Sequence, residues 1–279
     1  MWVGQQLADG LDFWGFLGSL ILGGIILGIY TGLLGYVSAK TGLSLDLLSQ
    51  RAFGEKGSYL PSAMTSFTQI GWFGVGSFVS GGTATPNFAR FAKNGKAGAI
   101  TTVVAFFIGN SLMFFFGAVS SIFVGGNDIF EVMVRLNLFY LAVLVLGLNI
   151  WTTNDNALYT AGLGLANIFH QKKKPMVLLS GIIGTVASVW LYYNFCGWLN
   201  ILNCTLPPVG MILVLAYFMN KEDFETDQPK LKTVDWFAVA GVILGAIVAN
   251  ILHWGIASIN GMVVAAVCYC VGQAVNKRK

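Results

Sequence analysis

The sequence predicts an all-α protein that crosses a membrane several times. Hydrophobic residues make up 56% of its 279 residues and charged residues only 10%, a composition far from that of an ordinary soluble domain. The mean hydropathy is positive. Long apolar stretches also recur along the whole chain, and each is long enough as a helix to cross about 30 Å of hydrocarbon.

The membrane segments can be placed from these stretches. Seven have the length of a span: 13–37, 97–124, 137–168, 176–195, 198–219, 236–252 and 255–271. A shorter candidate with more polar residues lies at 58–86. The residues before the first stretch contain no Lys or Arg, and that stretch is too long for the apolar part of a signal peptide, so we expect a retained span. Roughly eight membrane segments are therefore expected.

The positive residues predict the orientation of the chain. From residue 97 onward, loops rich in Lys and Arg alternate with loops that have one or none, and the last three residues are Lys277, Arg278 and Lys279. Because cytoplasmic loops carry the excess of positive charge, a cytoplasmic C-terminus is predicted. The front end conflicts with this alternation, since positive loops at 40–56 and 90–96 flank the single segment 58–86. Either that segment enters the membrane and returns, or helices have been lost there.

A polar cluster interrupts the long apolar stretch 137–168. At about 100° per residue, Asn149, Thr152, Thr153 and Asn156 fall on one helix face. Polar side chains at membrane depth are costly unless they are satisfied, so this stripe of hydroxyl and amide oxygens is a candidate functional site. Asp155 lies beside this stripe. Three roles stay open for it: a proton relay, a neighbour of a bound cation or a structural hydrogen-bond acceptor.

Several classes of function have little support. HExxH, GxSxG and P-loop motifs are absent, and no second carboxylate accompanies Asp155 deep in a span, so the protein is not expected to be an enzyme. The net charge of +4 is spread over loops, which predicts no nucleic-acid partner. No cofactor is expected. Cys196, Cys204, Cys268 and Cys270 form no CxxC pattern and are interpreted as small apolar residues.

Two further segments combine features of packing and of ligand binding. Residues 69–82 contain aromatics, one amide and several glycines, which allow either close helix packing or a locally unwound helix. Aromatic faces near an amide also suit a planar ligand that forms hydrogen bonds. Pro207 and Pro208 lie inside an apolar run and are expected to kink or break its helix. A break would line a cavity, whereas a kink would serve packing only.

Several stretches together resemble the nucleobase:cation symporter family. They occur in family order and cover nearly the whole chain: 27–31, 39–43, 53–62, 69–76, 109–114, 146–159, 181–185 and 207–210. The resemblance implies a LeuT-type fold with two inverted five-helix repeats, two extra helices and a substrate site near the midplane. It also implies sodium-coupled uptake of cytosine across the bacterial inner membrane, so sodium, cytosine and the lipid bilayer are the expected partners.

The resemblance also assigns candidate site residues. Trp72 and Phe78 match the aromatics that sandwich the base, and Gln69 matches the amide that hydrogen-bonds to it. The polar rim of the substrate site is matched by Ser77, Ser80 and Gly81. The ligands of the sodium ion are matched by Asn149, Thr152 and Thr153, which agrees with the oxygen-rich stripe.

The chain departs from the family between residues 76 and 77. The resemblance places residues 69–76 on the third helix and 77–94 at the end of the sixth, so the fourth and fifth helices are missing, together with most of the first. If residues 69–80 form one helix, Trp72 and Phe78 lie about 9 Å apart along its axis and about 120° apart around it, so they cannot enclose one base. Only unwinding near Gly74 or Gly76 would bring them face to face.

One transporter domain is expected over residues 1–279. Residues 1–86 correspond to a remnant of the first repeat, 87–219 to the second repeat and 220–279 to the two extra helices. Two hypotheses on function stay open. The chain is a sodium-coupled cytosine symporter impaired by the deletion, or it is a membrane protein that no longer transports and serves as a partner or regulator. The sequence leaves the oligomeric state undecided.

Overall fold

The computed structural model describes residues 12–75, 85–125, 129–226, 228–229, 231–252 and 254–276. Within these residues the chain is helical and contains no β-strand. In chain order the α-helices are α1 (Phe13–Thr41), α2 (Leu45–Phe53), α3 (Tyr59–Val75), α4 (Pro86–Ala89), α5 (Gly95–Val103), α6 (Asn110–Val124), α7 (Ile129–Arg135), α8 (Phe139–Phe169), α9 (Lys173–Tyr193), α10 (Phe195–Met219), α11 (Lys221–Glu225), α12 (Trp236–Ile251) and α13 (Ala257–Asn276).

The predicted all-α membrane architecture is confirmed. Five helical segments of the described chain are long and apolar enough to cross a membrane: Phe13–Thr41, Gly95–Val124, Lys173–Leu191, Gly197–Met219 and Ala257–Asn276. The apolar helix Trp236–Ile251 is shorter. Helix α8 has 31 residues, so it is about 46 Å long and also exceeds the thickness of the hydrocarbon.

The predicted span 97–124 forms a continuous helical run with a change of winding inside it. A π-helical segment, Val104–Gly109, joins α5 to α6. Helix α1 packs closely on α5 because small residues face each other: a Cβ on Gly35 would lie 2.4 Å from Thr102 Oγ1 and 2.9 Å from the carbonyl oxygen of Gly98. Such small-residue contacts let helix backbones approach in a membrane, where the hydrophobic effect does not drive helix association.

The largest core joins the two ends of the sequence. Leu34 and Val37 of α1 meet Leu48 of α2 and Val209 of α10, all fully buried. Helices α12 and α13 complete this cluster with Val242 and Ala265, among others. The amphipathic helix α2 therefore buries its apolar side between the first span and the C-terminal helices, and this holds its polar residues against α3.

The two ends of the segment 58–86 lie at the same end of the molecule. Ser38, near the end of α1, donates a hydrogen bond of 2.6 Å to the carbonyl oxygen of Pro86. The amide of Leu45 donates to Asn87 Oδ1 at 2.9 Å, and α3 begins directly after α2 on the same side. The positive loops on either side of this segment therefore share one side, as their charges indicate.

Pro207 and Pro208 do not break their helix. Helix α10 runs without interruption from Phe195 to Met219 and contains both prolines. Since proline has no N–H, the carbonyl groups four residues earlier lose their helical partners. Pro208 is buried. Its Cγ would lie 3.3 Å from a Cβ on Gly245 and 3.2 Å from a Cβ on Gly261. Packing against α12 and α13 thus accommodates the second proline.

Candidate transport site

Helices α3 and α8 form the framework of the candidate site. They run antiparallel, because Ser62 lies opposite Asn167 and Ser66 lies opposite Ala161. The helices touch where Gly164 lacks a side chain, since a Cβ there would lie 2.2 Å from Ser66 Oγ. Two of the predicted substrate residues, Gln69 and Trp72, belong to the last turns of α3, and the predicted sodium ligands lie near the middle of α8.

The three predicted sodium ligands share one face of α8. Thr153 Oγ1 donates a hydrogen bond of 3.1 Å to Asn149 Oδ1. Thr152 Oγ1 lies 3.1 Å from the carbonyl oxygens of both Leu148 and Asn149, so its proton is donated within the helix and its two lone pairs stay available as acceptors. Asn149 and Thr152 are exposed and Thr153 is half-buried. A cation at this face would be reached by oxygens from one helix.

No second helix completes this set of ligands in the described part of the chain. Every hydrogen bond recorded there for Asn149, Thr152 and Thr153 stays within α8. The other sides of α8 are occupied, by α3 at Ala157 and Ala161 and by α9 at Gly162, where a Cβ would lie 2.3 Å from Val177 Cγ2. The stripe therefore lies on a side of α8 that neither α3 nor α9 covers.

The structure places only part of the predicted substrate site. Gln69 lies on α3 and is 6% exposed. The backbone of Trp72 belongs to α3, but its side chain lies outside what the structure describes. The remaining four predicted residues, Ser77, Phe78, Ser80 and Gly81, also lie outside the described residues. Their grouping around a base therefore stays a prediction.

An aromatic residue that the sequence did not single out lies next to this end of α3. Trp198 of α10 is 2% exposed, and a Cβ on Gly71 would lie 2.3 Å from its Cζ2. The absence of a side chain at Gly71 thus leaves room for the indole of Trp198 against α3. A tryptophan near a span end is typical of the membrane interface, so no sequence pattern indicated this contact.

A buried polar network was also missed by the sequence interpretation. Ser62 Oγ donates to Asp46 Oδ1 at 2.6 Å and accepts from Asn167 Nδ2 at 2.9 Å. Asn167 Oδ1 accepts from Gln50 Nε2 at 2.6 Å, and its amide also reaches Ser58 Oγ at 3.1 Å. One amide on α8 therefore joins α2 to α3. Sequence spacing could not predict this, because the members come from three separate segments.

The carboxyl group of Asp46 is perturbed by this environment. Burial raises the pKa of Asp46 from 3.8 to about 6, while the hydrogen bond from Ser62 and the positive charge of Arg90 act in the opposite direction. Desolvation dominates because the low-dielectric surroundings disfavour the charged form more than the partners stabilise it. Asp46 is thus a buried acid outside the membrane-spanning helices.

Three further contacts hold the same half of α8 and the residue that follows it. Arg90 donates to Tyr159 Oη at 2.7 Å, and Lys173 Nζ lies 3.4 Å from the centre of the Tyr159 ring, a favourable cation–π arrangement. Tyr59 Oη lies 2.7 Å from His170 Nε2. His170 is exposed and contacts the first residue of α3.

A cavity of about 370 Å³ lies away from these residues, between α1, α10 and α13. Its walls are mainly aliphatic, and Pro207, Leu206 and Tyr30 form one side. Ser258 donates a hydrogen bond to Asn203 Oδ1 at its edge. None of the described residues predicted for the substrate or sodium site lines this cavity, so it is separate from the candidate site.

The helical architecture, with five segments long and apolar enough to cross a membrane, is that of a multispanning membrane protein. A family model for permeases for cytosine/purines, uracil, thiamine and allantoin matches residues 1–85 and 74–275. The chain belongs to this permease family. The two matched parts overlap at residues 74–85.

Relatives with assigned names agree with this family. The cytosine permease of Escherichia coli (strain K12) is 36% identical, and the alignment covers 100% of this chain and 88% of that protein. It runs over 372 positions, whereas the chain has 279 residues, so about 93 positions of the relative lack a counterpart here. The allantoin permease of Bacillus subtilis (strain 168) is 33% identical over 82 residues, which is 29% of this chain and 16% of that protein.

Proposed function

We infer that this protein carries cytosine across the bacterial inner membrane by sodium-coupled symport, at a rate reduced by its missing helices. Membership of the permease family makes it a transporter of small molecules that lies in a lipid bilayer. Cytosine is favoured as the substrate because the alignment with a cytosine permease covers the whole chain.

The observation that supports sodium coupling is the arrangement of Asn149, Thr152 and Thr153. Their side-chain oxygens share one face of α8, and Thr153 holds the amide oxygen of Asn149 by a hydrogen bond of 3.1 Å. Neutral oxygen ligands suit hard cations such as sodium. The ligands that a second helix would add are missing from the described chain, so weak sodium binding and slow transport are expected.

Uptake of labelled cytosine tests this proposal. The chain is expressed in cells that lack their own cytosine uptake, and uptake is measured with sodium and with sodium replaced by choline. We expect slow, sodium-dependent uptake that Trp72→Ala abolishes. The matched control is Trp190→Ala, which changes a tryptophan of α9 that is 62% exposed and should leave uptake unchanged.

A second candidate function is a membrane protein that does not transport. It is favoured by the exposure of Asn149 and Thr152, since a working sodium site would be enclosed. Uptake no greater than in cells without the chain, at equal amounts of protein in the membrane, would overturn transport and favour this alternative. Restoration of uptake by a co-expressed fragment with the missing helices would then identify the chain as part of a split carrier.

A further inference from the structure

The cavity between α1, α10 and α13 is a groove along one face of α1, and we call it the α1 groove. Its α1 residues recur at the spacing of one helix face: Ser19, Leu22, Gly23, Ile26, Leu27 and Tyr30. From Ser19 to Tyr30 this face extends about 16 Å along the axis, at about 1.5 Å per residue. The hydrocarbon of one leaflet is about as thick, since the whole core measures about 30 Å.

Tyr30 closes one end of the groove. Its hydroxyl lies 3.5 Å from the carbonyl oxygen of Leu206, and its ring occupies the space that a Cβ on Gly210 would need. Beyond Tyr30 the two helices pack closely, because Leu34 and Val209 are fully buried in one core. Helices α1 and α10 are therefore in contact on one side of Tyr30 and leave a groove on the other side.

The other end of the groove is polar and lies near the membrane surface. Ser258 donates a hydrogen bond to Asn203 Oδ1 there, and Ser19 is exposed. Helices α1, α10 and α13 all begin at this end. Trp254, just before α13, is 82% exposed, which is typical of a tryptophan at the boundary between hydrocarbon and headgroups. The groove therefore opens toward the headgroups and extends into the hydrocarbon.

The groove cannot close by a movement of α1, because the opposite side of α1 is held tightly. A Cβ on Gly24 would lie 2.9 Å from Phe107 Cδ2, and a Cβ on Gly32 would lie 2.6 Å from Val103 Cγ2. A shift of α1 toward α10 would pull it away from these side chains and lose the contacts that small residues allow. The groove therefore needs an occupant.

The surroundings of the groove indicate a lipid chain as that occupant. Leu22 lines the groove and is exposed, and so are Ile25 and Ile29, which follow it around the helix axis. The groove is thus continuous with an apolar surface that faces lipid. Its mainly aliphatic walls do not hold water, and a void would forfeit dispersion contacts along them. An acyl chain is apolar, is present at this depth and matches the length of the groove.

We propose that the α1 groove binds one acyl chain of a phospholipid, whose headgroup lies at the polar end near Ser258 and Asn203. The cavity of about 370 Å³ is within the range of ligand pockets, about 300–1,000 Å³. The bound chain fills the space between α1 and α10 that protein side chains leave open. This site is separate from the candidate transport site and does not depend on transport.

Photolabelling in vesicles tests the proposal. The purified full chain is reconstituted in phosphatidylethanolamine and phosphatidylglycerol, with a small fraction of phosphatidylethanolamine that carries a diazirine on one acyl chain. After irradiation, mass spectrometry locates the label. Leu206 lines the groove and is 4% exposed, so lipid at the outer surface does not reach it. Ile201, 53% exposed on the same helix, reports ordinary lipid contact. We expect the label at Leu206 to lie within twofold of that at Ile201.

A variant that fills the groove provides the decisive comparison. Gly23→Phe places a ring in the groove, where nothing lies within 4 Å of the Cβ position. Labelling of Leu206 should fall at least fivefold, while that of Ile201 stays unchanged. The matched control is Gly18→Phe, which has equal space around its Cβ position but lies about 140° away around the axis. It should leave both labels unchanged. If Gly23→Phe lowers the amount of protein in the membrane, Gly23→Leu replaces it.

Two results would overturn the proposal. Equal labelling of Leu206 in Gly23→Phe and in the unchanged chain would mean that the label reaches Leu206 from outside the groove. Labelling of Ile201 without Leu206 would mean that no lipid chain enters. If label then appears at Leu206 after deletion of residues 1–11, those residues are the occupant instead. Because cytosine uptake enters none of these readouts, loss of transport and loss of the lipid site can be told apart.

Discussion

Ser62 donates a hydrogen bond of 2.6 Å to the carboxyl group of Asp46, and the same hydroxyl accepts a hydrogen bond of 2.9 Å from Asn167. Three helices, α2, α3 and α8, therefore meet at one buried hydroxyl. The carboxyl group has little contact with water, since Asp46 is 6% exposed. Its protonation state thus affects how well these helices pack.

The stability of the protein should depend on pH through Asp46. Its folded pKa of about 6 lies above the ordinary 3.8, so the folded state binds the proton more tightly than the unfolded state. Stability should therefore rise as the pH falls from about 6 to about 4, by about 3 kcal/mol, since one pKa unit corresponds to about 1.4 kcal/mol. Asp46→Asn should remove this gain. Thermal unfolding in detergent, compared between the two proteins across this range, measures the difference.

A second variant checks the cause of this pH dependence. Ser62→Ala removes a hydrogen bond that lowers the pKa of Asp46, so the pH at which stability begins to rise should move upward. If the stability of the unchanged protein and that of Asp46→Asn vary with pH in the same way, groups other than Asp46 control the pH dependence.

Close contact between α3 and α8 should make Gly164 intolerant of a side chain. A Cβ there would lie 2.2 Å from Ser66 Oγ and 2.8 Å from the carbonyl oxygen of Ser62. Gly164→Ala should therefore lower the unfolding free energy by about 1–3 kcal/mol, as overpacking generally does. Gly147→Ala is the control on the same helix, because nothing lies within 4 Å of its Cβ position and alanine favours a helix. Equal unfolding temperatures for the two variants would argue against this packing.

The hydroxyl of Thr153 should contribute to the proposed sodium site. Thr153→Val keeps the shape of the side chain and removes the oxygen that bonds to Asn149. We expect at least a tenfold loss of apparent sodium affinity, or about 1.4 kcal/mol. The measurement is the rise of the unfolding temperature with sodium concentration, because a ligand of the folded state stabilises it.

Thr185→Val provides the control for this measurement. Thr185 is exposed on α9 and its hydroxyl donates to the carbonyl oxygen of Gly181 at 2.9 Å, so it offers the same chemistry away from the stripe. The sodium response of this variant should match that of the parent. If the unfolding temperature of Thr153→Val rises with sodium as much as that of the parent, Thr153 does not bind sodium.

Local sequence patterns predicted much of the structure of this protein. The polar stripe could be placed on one face of a helix because its residues recur at helical spacing, and Asn149, Thr152 and Thr153 do share a face of α8. The segment 58–86 could be recognised as irregular because positive residues collect in cytoplasmic loops, and positive loops flank this single segment on both sides. Each of these inferences depends on residues close together in the chain or on composition alone.

The sequence by itself therefore determined the all-α membrane class and the helical face of the stripe, since hydropathy and periodicity are local properties. The tertiary structure decided that Pro207 and Pro208 stay within one helix, because α12 and α13 pack against α10. It also decided that Asp46, Ser62 and Asn167 meet. These residues are distant in the chain, and their contact follows from the burial of α2 against helices from both ends of the sequence, which no local pattern encodes.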